Sequence, residues 1–466
     1  MHLSGSWTLL KGLLIPLLFS GSISAIELDI SDEQSIKDAA STTTYAMMTY
    51  YHGNETGHIP GSFPTKWWEG SALFLALLQY WHFTGDTTYN DELRVGLEWQ
   101  AGDNDYLPTN YSSWIFTSRA NGWAKGNDDQ MFWGLAAMTA AELKFADATN
   151  IGSGYSWLSL AQGVYNYQIK EWDTTTCDGG LRWQIWTYES GYDMKNSISN
   201  GGLFQLAARL ARYTNTESYA TWAQKIWDWS VSSPLLSNTT WNVADSTDTT
   251  NNCKTQGDDQ WSYNYGTYMM GAAYMYNYTN GSTVWLEAVN GLLNKTFDHF
   301  LSDDILEEKL CEPSASCNDN EILFKGLVSS WLSFTALLVP STYDTILPVL
   351  QTSAQAAAKS CTGHNNNTCG VTWYKSEYDG LIGMEEQISA TNIFVANMIA
   401  FDSSAPVTST TGGNSTSNPT AGENDTSTST SNESVITSGD KAGAGILTAV
   451  FVAGWVAMMG WTVLGG

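Results

Sequence analysis

Basic residues are scarce in this sequence of 466 residues. Lysine and arginine together number 20 against 47 aspartates and glutamates, which gives a formal net charge of −27. Phosphate backbones and anionic lipid headgroups repel so acidic a chain, which argues against nucleic acid and anionic membrane surfaces as partners. A neutral polysaccharide is compatible with this charge.

Motifs for metal binding and patterns typical of sheets are also lacking. No Cys-x-x-Cys or His-x-x-x-His spacing accompanies the cysteines, so we expect no metal site. Few segments alternate apolar and polar residues with a period of two, so an extensive sheet is improbable.

Cysteine is present only six times. An even number in an exported chain suggests three disulfides, but six cysteines permit fifteen pairings. Short loops favour the pairs Cys311 with Cys317 and Cys361 with Cys369, which leaves Cys177 with Cys253.

The first residues are typical of a secretory signal peptide. Lys11 precedes a short apolar run, 13–19, and small residues follow up to Ala25. This run is too short to span a bilayer, and the pattern predicts a signal peptide over residues 1–25. Export agrees with ten Asn-x-Ser/Thr acceptors, each a weak match alone. These predicted N-glycosylation sites are Asn54, Asn110, Asn238, Asn277, Asn280, Asn294, Asn366, Asn414, Asn424 and Asn432.

The C-terminal part of the sequence predicts a tether. Residues 403–438 are mainly Ser, Thr, Gly, Asn and Pro, which predicts a disordered stalk. Residues 439–466 continue with a polar spacer and end in an apolar run with no basic residue after it. This order is the signal for a glycosylphosphatidylinositol (GPI) anchor at Ser438 or Gly439, with a retained transmembrane helix as the alternative. We therefore expect a protein secreted to the cell surface and anchored at the plasma membrane.

Four similar phrases recur at a spacing of 65 residues and end at Thr84, Thr149, Thr214 and Thr279. A fixed period indicates a repeated supersecondary unit. Each unit pairs an apolar helix, typical of full burial, with an amphipathic one. The twelve predicted helices are 31–50, 67–78, 90–100, 129–146, 155–171, 197–213, 217–230, 261–278, 283–300, 325–339, 344–359 and 386–401.

Six inner helices surrounded by six outer ones predict an all-α (α/α)6 barrel over residues 26–402, the expected catalytic domain. Glycine recurs near the start of the inner helices, at Gly70, Gly134, Gly201 and Gly266, which suggests close backbone approach. The alternative is an open superhelix of the tetratricopeptide type, but its repeats are about half this length.

Asp128 and Asp129 form one candidate catalytic pair. They follow Asn127 at the start of an inner helix, where free N–H groups and the helix dipole favour carboxylates. Two carboxyl groups about 5–5.5 Å apart suit a retaining glycosidase, and like charges that close keep one group protonated. A simple helix cap is the alternative. The pair Asp258 and Asp259 also precedes an inner helix, and composition and spacing do not choose between the two pairs.

Several ordered motifs resemble glycoside hydrolase family 76, the endo-α-1,6-mannanases. These motifs are residues 122–134, 179–183, 195–201, 261–266 and 324–326, together with the cysteine-bearing loops. The resemblance covers essentially all of residues 26–402, and with the predicted tether it is similar to the fungal branch that acts in cell-wall biogenesis. It implies an (α/α)6 barrel and a retaining mechanism.

The resemblance also implies roles for individual residues. It places the nucleophile on Asp128 and the acid/base on Asp129, and it treats Asp258 and Asp259 as part of a variable loop. Ser330 stands near a position where relatives usually carry arginine, which would alter subsite preference if that arginine contacts glycan. The predicted substrate-binding residues, which match segments lining the family's groove, are Trp123, Trp183, Asn196, Asn200, Tyr263 and Asn264.

The activity that the resemblance implies is hydrolysis within α-1,6-linked mannan, as a mannan endo-1,6-α-mannosidase. A first alternative keeps the same covalent intermediate but transfers the mannosyl group to a sugar hydroxyl, which would link GPI-anchored glycoproteins to wall β-glucan. An alternative from another class is a non-catalytic mannan-binding wall scaffold, against which the two intact aspartates argue. This chemistry requires no metal or organic cofactor.

Overall fold

Twelve α-helices account for most of the described part of the chain. A computed structural model describes residues 25–63, 66–102, 104–107, 125–147, 155–364 and 367–423. In these ranges the helices are α1 Glu33–Met48, α2 Trp67–Thr84, α3 Asn90–Trp99, α4 Asn127–Glu142, α5 Trp157–Lys170, α6 Ser197–Thr214, α7 Glu217–Ser232, α8 Ser262–Tyr278, α9 Thr283–Phe300, α10 Asp319–Leu338, α11 Tyr343–Ser360 and α12 Met384–Ala396. Each of the twelve predicted segments therefore contains a helix.

Among the helix starts, that of α10 differs most from the prediction. The helix begins at Asp319 rather than at 325 because Asn318 and Glu321 cap it reciprocally. The Glu321 N–H donates to the Asn318 side chain at 3.2 Å, and the Asn318 N–H donates to the Glu321 carboxylate at 2.9 Å. This capping box starts the helix ahead of its apolar run. By length and composition α10 could cross a membrane, but 94% of its apolar window is buried, as in a core helix.

The inner helices form a closed ring. Helices α2, α4, α6, α8, α10 and α12 contact one another in this order, and α12 contacts α2. The remaining helices pack around the outside of this ring, with α1 lying against α12. Because each inner helix has neighbours on every side, its sequence is apolar nearly all round. The predicted (α/α)6 barrel is confirmed, and the open superhelix is excluded.

Glycine permits close approach of the inner helices to their neighbours, as predicted. A Cβ atom at Gly266 of α8 would lie 2.6 Å from the ring of Trp331 in α10. At Gly201 of α6 it would lie 2.6 Å from a threonine side chain of α8. Close-packed interiors do not admit contacts this short, so a larger side chain would push the helices apart. A Cβ atom at Gly70 or at Gly134 would be similarly crowded.

A buried ion pair and a small cavity occupy the interior of the ring. Arg209 Nη2 of α6 lies 2.7 Å from Glu142 Oε2 of α4, and the Tyr274 hydroxyl donates to the same oxygen at 2.8 Å. The cavity measures about 10 Å³, and all six inner helices contribute to its lining. Ser330 lines it and is only 2% exposed. Ser330 of this chain therefore lies in the interior of the ring and lines no exposed glycan-binding surface.

Two short antiparallel strand pairs supplement the helices. Strand β1 Met194–Asn196 pairs with β2 Ser246–Asp248, and β3 Leu301–Ser302 pairs with β4 Ile305–Leu306. Strand β1 leads directly into the inner helix α6, so its sheet is fixed to the ring.

The three disulfides join the cysteines that the loop lengths favour. The bonds are Cys177–Cys253, Cys311–Cys317 and Cys361–Cys369. The first one fastens the loop that leads to Trp183 onto the loop before α8. Its two cysteines are 76 residues apart in the sequence, whereas those of the second disulfide are only 6 residues apart.

Removing the long-range disulfide should destabilise the barrel more than removing a local one. Chain-entropy arguments give about 4.5 kcal/mol for the Cys177–Cys253 loop and about 2.4 kcal/mol for the Cys311–Cys317 loop. We expect the Cys177→Ser/Cys253→Ser variant to lose about 2 kcal/mol more free energy of unfolding than the Cys311→Ser/Cys317→Ser variant. Denaturant unfolding of both variants measures the difference. Equal losses would show that loop entropy does not dominate.

Residues 403–422 do not form the predicted disordered stalk. The Val407 N–H donates to the Glu142 carbonyl and the Ser409 N–H donates to the Tyr213 carbonyl, both at 3.0 Å. The prediction considered only apolar side chains, whereas backbone and side-chain hydrogen bonds hold this segment to the barrel. We call residues 403–422 the C-terminal strap. Residues 1–24 of the predicted signal peptide, the rest of the predicted stalk and the anchor signal with Ser438 and Gly439 lie outside the described residues.

The predicted glycosylation sites are mostly exposed where the structure describes them. One exception is Asn277, whose amide nitrogen donates to the Leu338 carbonyl at 3.4 Å while its oxygen accepts from Arg212 at 2.8 Å. Asn277 is only partly exposed and its amide is hydrogen-bonded, so glycosylation at this position stays a prediction. The exposed sites are Asn54, Asn238, Asn280, Asn294 and Asn414. Asn110, Asn366, Asn424 and Asn432 lie outside the described residues.

Candidate active site

The Asp128–Asp129 pair lies in the first turn of α4, at the end of the ring where the inner helices begin. We call this end the mouth of the barrel. Both aspartates are partly exposed, while Asn127 before them and Gln130 after them are buried. Free N–H groups at the helix start favour the charged form of a carboxylate there. The pair is therefore accessible from the mouth and is not sealed in the core.

Each aspartate is held by different hydrogen bonds. Trp183 Nε1 donates to Asp128 Oδ2 at 2.8 Å, and the Asp129 N–H donates to Asp128 Oδ1 at 3.0 Å. Asp129 Oδ2 accepts from the Gly126 N–H at 2.7 Å. That last bond is the capping contact of the simpler interpretation, so Asp129 also stabilises the helix start. Asp128, in contrast, has both oxygens supplied with donors, an arrangement that suits a carboxylate.

Backbone contacts fix the loop of Trp183 beside α4. The Asn127 N–H donates to the Trp183 carbonyl at 2.8 Å, and the Trp183 N–H donates to the Met194 carbonyl of β1 at 2.8 Å. A Cβ atom at Gly126 would lie 2.1 Å from Asp128 Oδ1, so glycine is required at this position for the carboxylate to fit. The indole and the two aspartates therefore form one rigid unit.

Burial raises the pKa of both carboxyl groups, and their mutual repulsion adds to this effect at Asp128. Burial raises the pKa of Asp128 well above its usual range, and the charge of Asp129 raises it further. Burial also raises the pKa of Asp129, to about 6, although the Gly126 N–H and the Lys125 ammonium favour its ionised form. Because the groups interact, they titrate as a pair that holds one proton through the weakly acidic range.

Lys125 is a cation near the pair that sequence reasoning did not single out. Its side chain is buried, and its Nζ lies 3.6 Å from the centroid of the Trp67 ring. Burial lowers the pKa of Lys125 to about 7, against the opposing charge of Asp129. A charged residue within an aromatic-rich segment was the available sequence signal.

Replacing Lys125 by methionine should move the pH profile of activity. The ammonium favours ionised Asp129, so its loss raises the pKa of Asp129 above about 6. If Asp129 must be protonated to act, the alkaline limb of kcat/KM shifts upward by about one pH unit. Lys125→Arg should keep the limb in place. A uniform loss of kcat/KM without any shift would show that Lys125 serves packing alone.

An aromatic stack lies near the pair. The rings of Tyr263 and Phe324 are 3.7 Å apart at an interplanar angle of 7°. Burial raises the pKa of the Tyr263 hydroxyl, and the charges of Asp245 and Asp128 raise it further. Both carboxylates are therefore close enough for their charges to act on the Tyr263 hydroxyl. It is partly exposed, as a sugar-contacting residue must be.

Asp245 is a third acidic residue near the site, and sequence reasoning missed it. It is partly exposed, and Asn264 Nδ2 donates to its Oδ1 at 3.2 Å. Burial raises its pKa, and the hydrogen bond from Asn264 opposes this effect. No sequence pattern marked Asp245, because it follows a short apolar segment in a loop far from α4 in the chain.

The predicted substrate-binding residues divide into two groups. Trp183 and Tyr263 are partly exposed near the aspartates, and substrate contact stays a prediction for both. Asn200 is fully buried, accepts from the Leu181 N–H at 2.8 Å and donates to the Leu181 carbonyl at 2.9 Å. Asn264 is also fully buried. The structure therefore contradicts direct glycan contact for both asparagines, which position the surrounding loops.

Asn196 is the N-cap of α6, with its side chain accepting from the Ser199 N–H at 3.3 Å. At 6% exposure it is a structural residue rather than the predicted substrate contact. Trp123 lies outside the described residues. The competing pair, Asp258 and Asp259, is exposed in the loop before α8 and not within a helix turn. It therefore lies outside the partly buried first turn of an inner helix, where Asp128 and Asp129 are held.

Comparison with known proteins shows the same family over most of the chain. The sequence model named Glycosyl hydrolase family 76 matches residues 35–410. The chain is 42% identical over 457 residues to mannan endo-1,6-alpha-mannosidase DCW1 of Saccharomyces cerevisiae, covering 97% of this chain and 98% of that protein. It is 38% identical over 449 residues to mannan endo-1,6-alpha-mannosidase DFG5 of Candida albicans, covering 94% and 95%.

Solved structures show the same fold. Dfg5 from Chaetomium thermophilum, determined in complex with glucosamine, matches with a TM-score of 0.78 and 38% identity, over 84% of this chain and 97% of that one. An inactive variant of the α-1,6-mannanase of Salegentibacter sp. HEL1_6, determined with α-1,6-mannotriose, matches with a TM-score of 0.61 and 17% identity, over 78% and 99%. The second likeness supports the barrel fold alone.

Proposed function

The chain belongs to glycosyl hydrolase family 76, and from this premise we propose that it is a mannan endo-1,6-α-mannosidase that cleaves α-1,6-linked mannan with retention. Its relatives of that name are 38–43% identical over most of their length. The observation that carries the mechanism is the partly exposed Asp128–Asp129 pair, whose pKa values burial and mutual charge raise.

Asp128 is the nucleophile in this proposal. Its carboxylate attacks the anomeric carbon of the mannosyl unit while the glycosidic oxygen leaves, which gives a covalent mannosyl ester. The Trp183 N–H and the Asp129 N–H position the two Asp128 oxygens for that attack. Asp129 gives its proton to the leaving oxygen as the bond breaks.

The second step regenerates the site. Ionised Asp129 takes a proton from an incoming water, whose oxygen attacks the anomeric carbon and releases Asp128. Lys125 stabilises the negative charge that Asp129 carries between the two steps. Tyr263 and Trp183 present aromatic faces on which the C–H groups of a sugar ring can pack.

The acceptor in the second step can equally be a sugar hydroxyl, because the same ester and the same base are used. In the cell-surface setting the proposed acceptor is wall β-glucan and the donor is the mannose-containing glycan of an anchored glycoprotein. Incubation with an α-1,6-mannan oligomer, with and without a β-glucan oligomer, separates the two outcomes. Shorter products alone mean hydrolysis, products longer than the donor mean transfer, and no products in either case contradict the enzymatic proposal.

The proposed location is the cell surface, with a GPI anchor at Ser438 or Gly439 holding the protein to the plasma membrane or passing it into the wall. Three disulfides support an oxidising, extracellular compartment. Exposed glycosylation sites and the terminal sequence signals support export and anchoring. Release of the protein from intact cells by a phosphatidylinositol-specific phospholipase C tests the anchor. Retention after that treatment, with release by detergent, favours a transmembrane helix instead.

A further inference from the structure

The C-terminal strap begins at the base of the barrel, the end opposite the mouth. Its Val407 and Ser409 N–H groups donate to carbonyls in the last turns of α4 and α6, both at 3.0 Å. Inner helices end at the base, so the chain that leaves α12 is still on that side when the strap starts. A stalk that began at 403 would leave the domain from the base.

The strap then runs along α5 toward the mouth. Ser415 accepts from the Leu158 N–H at 3.0 Å, and the Asn418 N–H donates to Gln162 at 2.6 Å. One turn further along the helix, Asn166 donates to the Pro419 and Ala421 carbonyls, both at 2.9 Å. The contacts advance along both segments in the same direction. Because α5 is antiparallel to α4, this direction leads from the base to the mouth.

The end of the strap lies at the level of the catalytic turn. Asn166, which holds Ala421, is two residues before Gln168 on α5, and Gln168 donates to the Asn127 carbonyl at 2.6 Å. Two residues of helix rise by about 3 Å. Ala421 is 2% exposed, so the strap is packed on the barrel up to this point. The chain thus leaves the barrel beside the start of α4, which carries Asp128.

We infer that the strap places the membrane attachment on the mouth side of the barrel, so that the catalytic site opens toward the lipid surface that anchors the protein. This inference rests on the GPI anchor of the proposed function. Its partner is a glycan carried by the same membrane, which the mouth would meet ahead of glycans free in solution. The inferred orientation requires no direct contact between the acidic barrel and the lipid headgroups.

Chain length supports this orientation. From Gly422 to Ser438 there are 16 residues, which span at most about 55 Å when fully extended. The inner helices, of 13 to 20 residues, are about 20–30 Å long. With the base toward the membrane, the segment after the strap would first have to return along the whole barrel, which would use up about half of its greatest reach. With the mouth toward the membrane, the full reach is available.

Energy transfer to a membrane dye tests the orientation in the full-length anchored protein. All six cysteines are in disulfides, so one introduced thiol gives a single labelling site. Ser190→Cys places the label near Trp183 at the mouth, and Ser341→Cys places it after α10 at the base; both positions are exposed. In anchored protein in lipid vesicles we expect several-fold greater transfer from the mouth label. Equal transfer, or greater transfer from the base label, overturns the inference.

Failure of the anchor and failure of the orientation give different results. Protein without a GPI anchor would not be released from the vesicles by a phosphatidylinositol-specific phospholipase C, which contradicts the proposed anchor. Protein that is released by that lipase, but shows no excess of transfer from the mouth label, contradicts only the orientation.

Freeing the strap tests whether it sets the orientation. The Gln162→Ala/Asn166→Ala variant removes the side-chain hydrogen bonds that hold residues 418–421 of the strap to α5. We expect the difference between the two labels to shrink, while turnover of a soluble mannan oligomer stays the same. Gln224→Ala on the exposed face of α7 is the matched control and should leave the difference intact. If limited proteolysis shows a freed strap but the difference persists, the strap does not set the orientation.

Discussion

The Asp128→Asn variant should turn over α-1,6-mannan at least about 10⁴-fold more slowly than the wild-type protein, because no other group can form the covalent ester. The asparagine is nearly isosteric and its oxygen can still accept from Trp183 Nε1, so the helix start should be preserved. We expect the free energy of unfolding to change by less than about 1 kcal/mol. Steady-state kinetics with a mannan oligomer and thermal unfolding of the same preparation measure both quantities.

Asp258→Asn is the matched control for this variant. It makes the same substitution in the competing aspartate pair, which is exposed in the loop before α8. Activity should stay within about twofold of wild type, since surface substitutions away from a site have small effects. Loss of activity in the control, with survival in Asp128→Asn, would move the catalytic centre to the second pair.

The same variant decides between an enzyme and a scaffold. A mannan-binding scaffold would keep its cellular role after Asp128→Asn, because the substitution leaves the fold and the aromatic side chains in place. An enzyme would lose that role together with turnover. Cell-wall complementation by the folded variant would therefore favour the scaffold function.

The fold was predictable because burial leaves a strong trace in the sequence. An inner helix such as α2 is apolar on all sides and α3 only on one, and the 65-residue spacing repeats this contrast around the ring. Glycines such as Gly266 marked the close contacts correctly. Helix starts were harder, because polar capping residues such as Asn318 precede the apolar run that defines the helix.

The site was only partly predictable, because the sequence does not distinguish an asparagine that binds sugar from one that bonds to the protein backbone. Asn200 resembled a glycan-binding residue in sequence, yet both of its polar atoms bond to Leu181 in the adjoining loop. Asp245 comes near the catalytic pair only through folding, so its place in the chain gave no reason to group it with Asp128. Lys125 directly precedes the pair in sequence, but only the structure shows that its side chain is buried over the Trp67 ring.

The strap was missed because a composition rule considers apolar surface and not hydrogen-bond partners. Its partners lie in α5, an outer helix that buries Gln162 and Asn166. Buried amides require partners, and a helix that buries several of them on its outer side indicates that another segment covers it.

Electrostatics and hydrogen bonding favour opposite protonation states of the two aspartates in the free site. Burial and the charge of Asp129 raise the pKa of Asp128 further than that of Asp129, which favours the shared proton on Asp128 in the free site. Hydrogen bonding favours the opposite assignment, because both oxygens of Asp128 accept from N–H groups. When the substrate binds, the shared proton passes to Asp129, which gives it to the leaving oxygen while Asp128 attacks as the carboxylate.

The Asp129→Ala variant should therefore lose about 10²–10⁴-fold in turnover of mannan, whose leaving sugar needs a proton. An aryl mannoside with an acidic phenol needs none, so the ester on Asp128 should form quickly and then accumulate for lack of a base. Mass spectrometry of the intact protein should detect this adduct, and azide should release it as the α-mannosyl azide. α-Mannosyl azide formed by Asp128→Ala rather than by Asp129→Ala would exchange the two roles, because azide that replaces a missing nucleophile gives the inverted β-mannosyl azide instead.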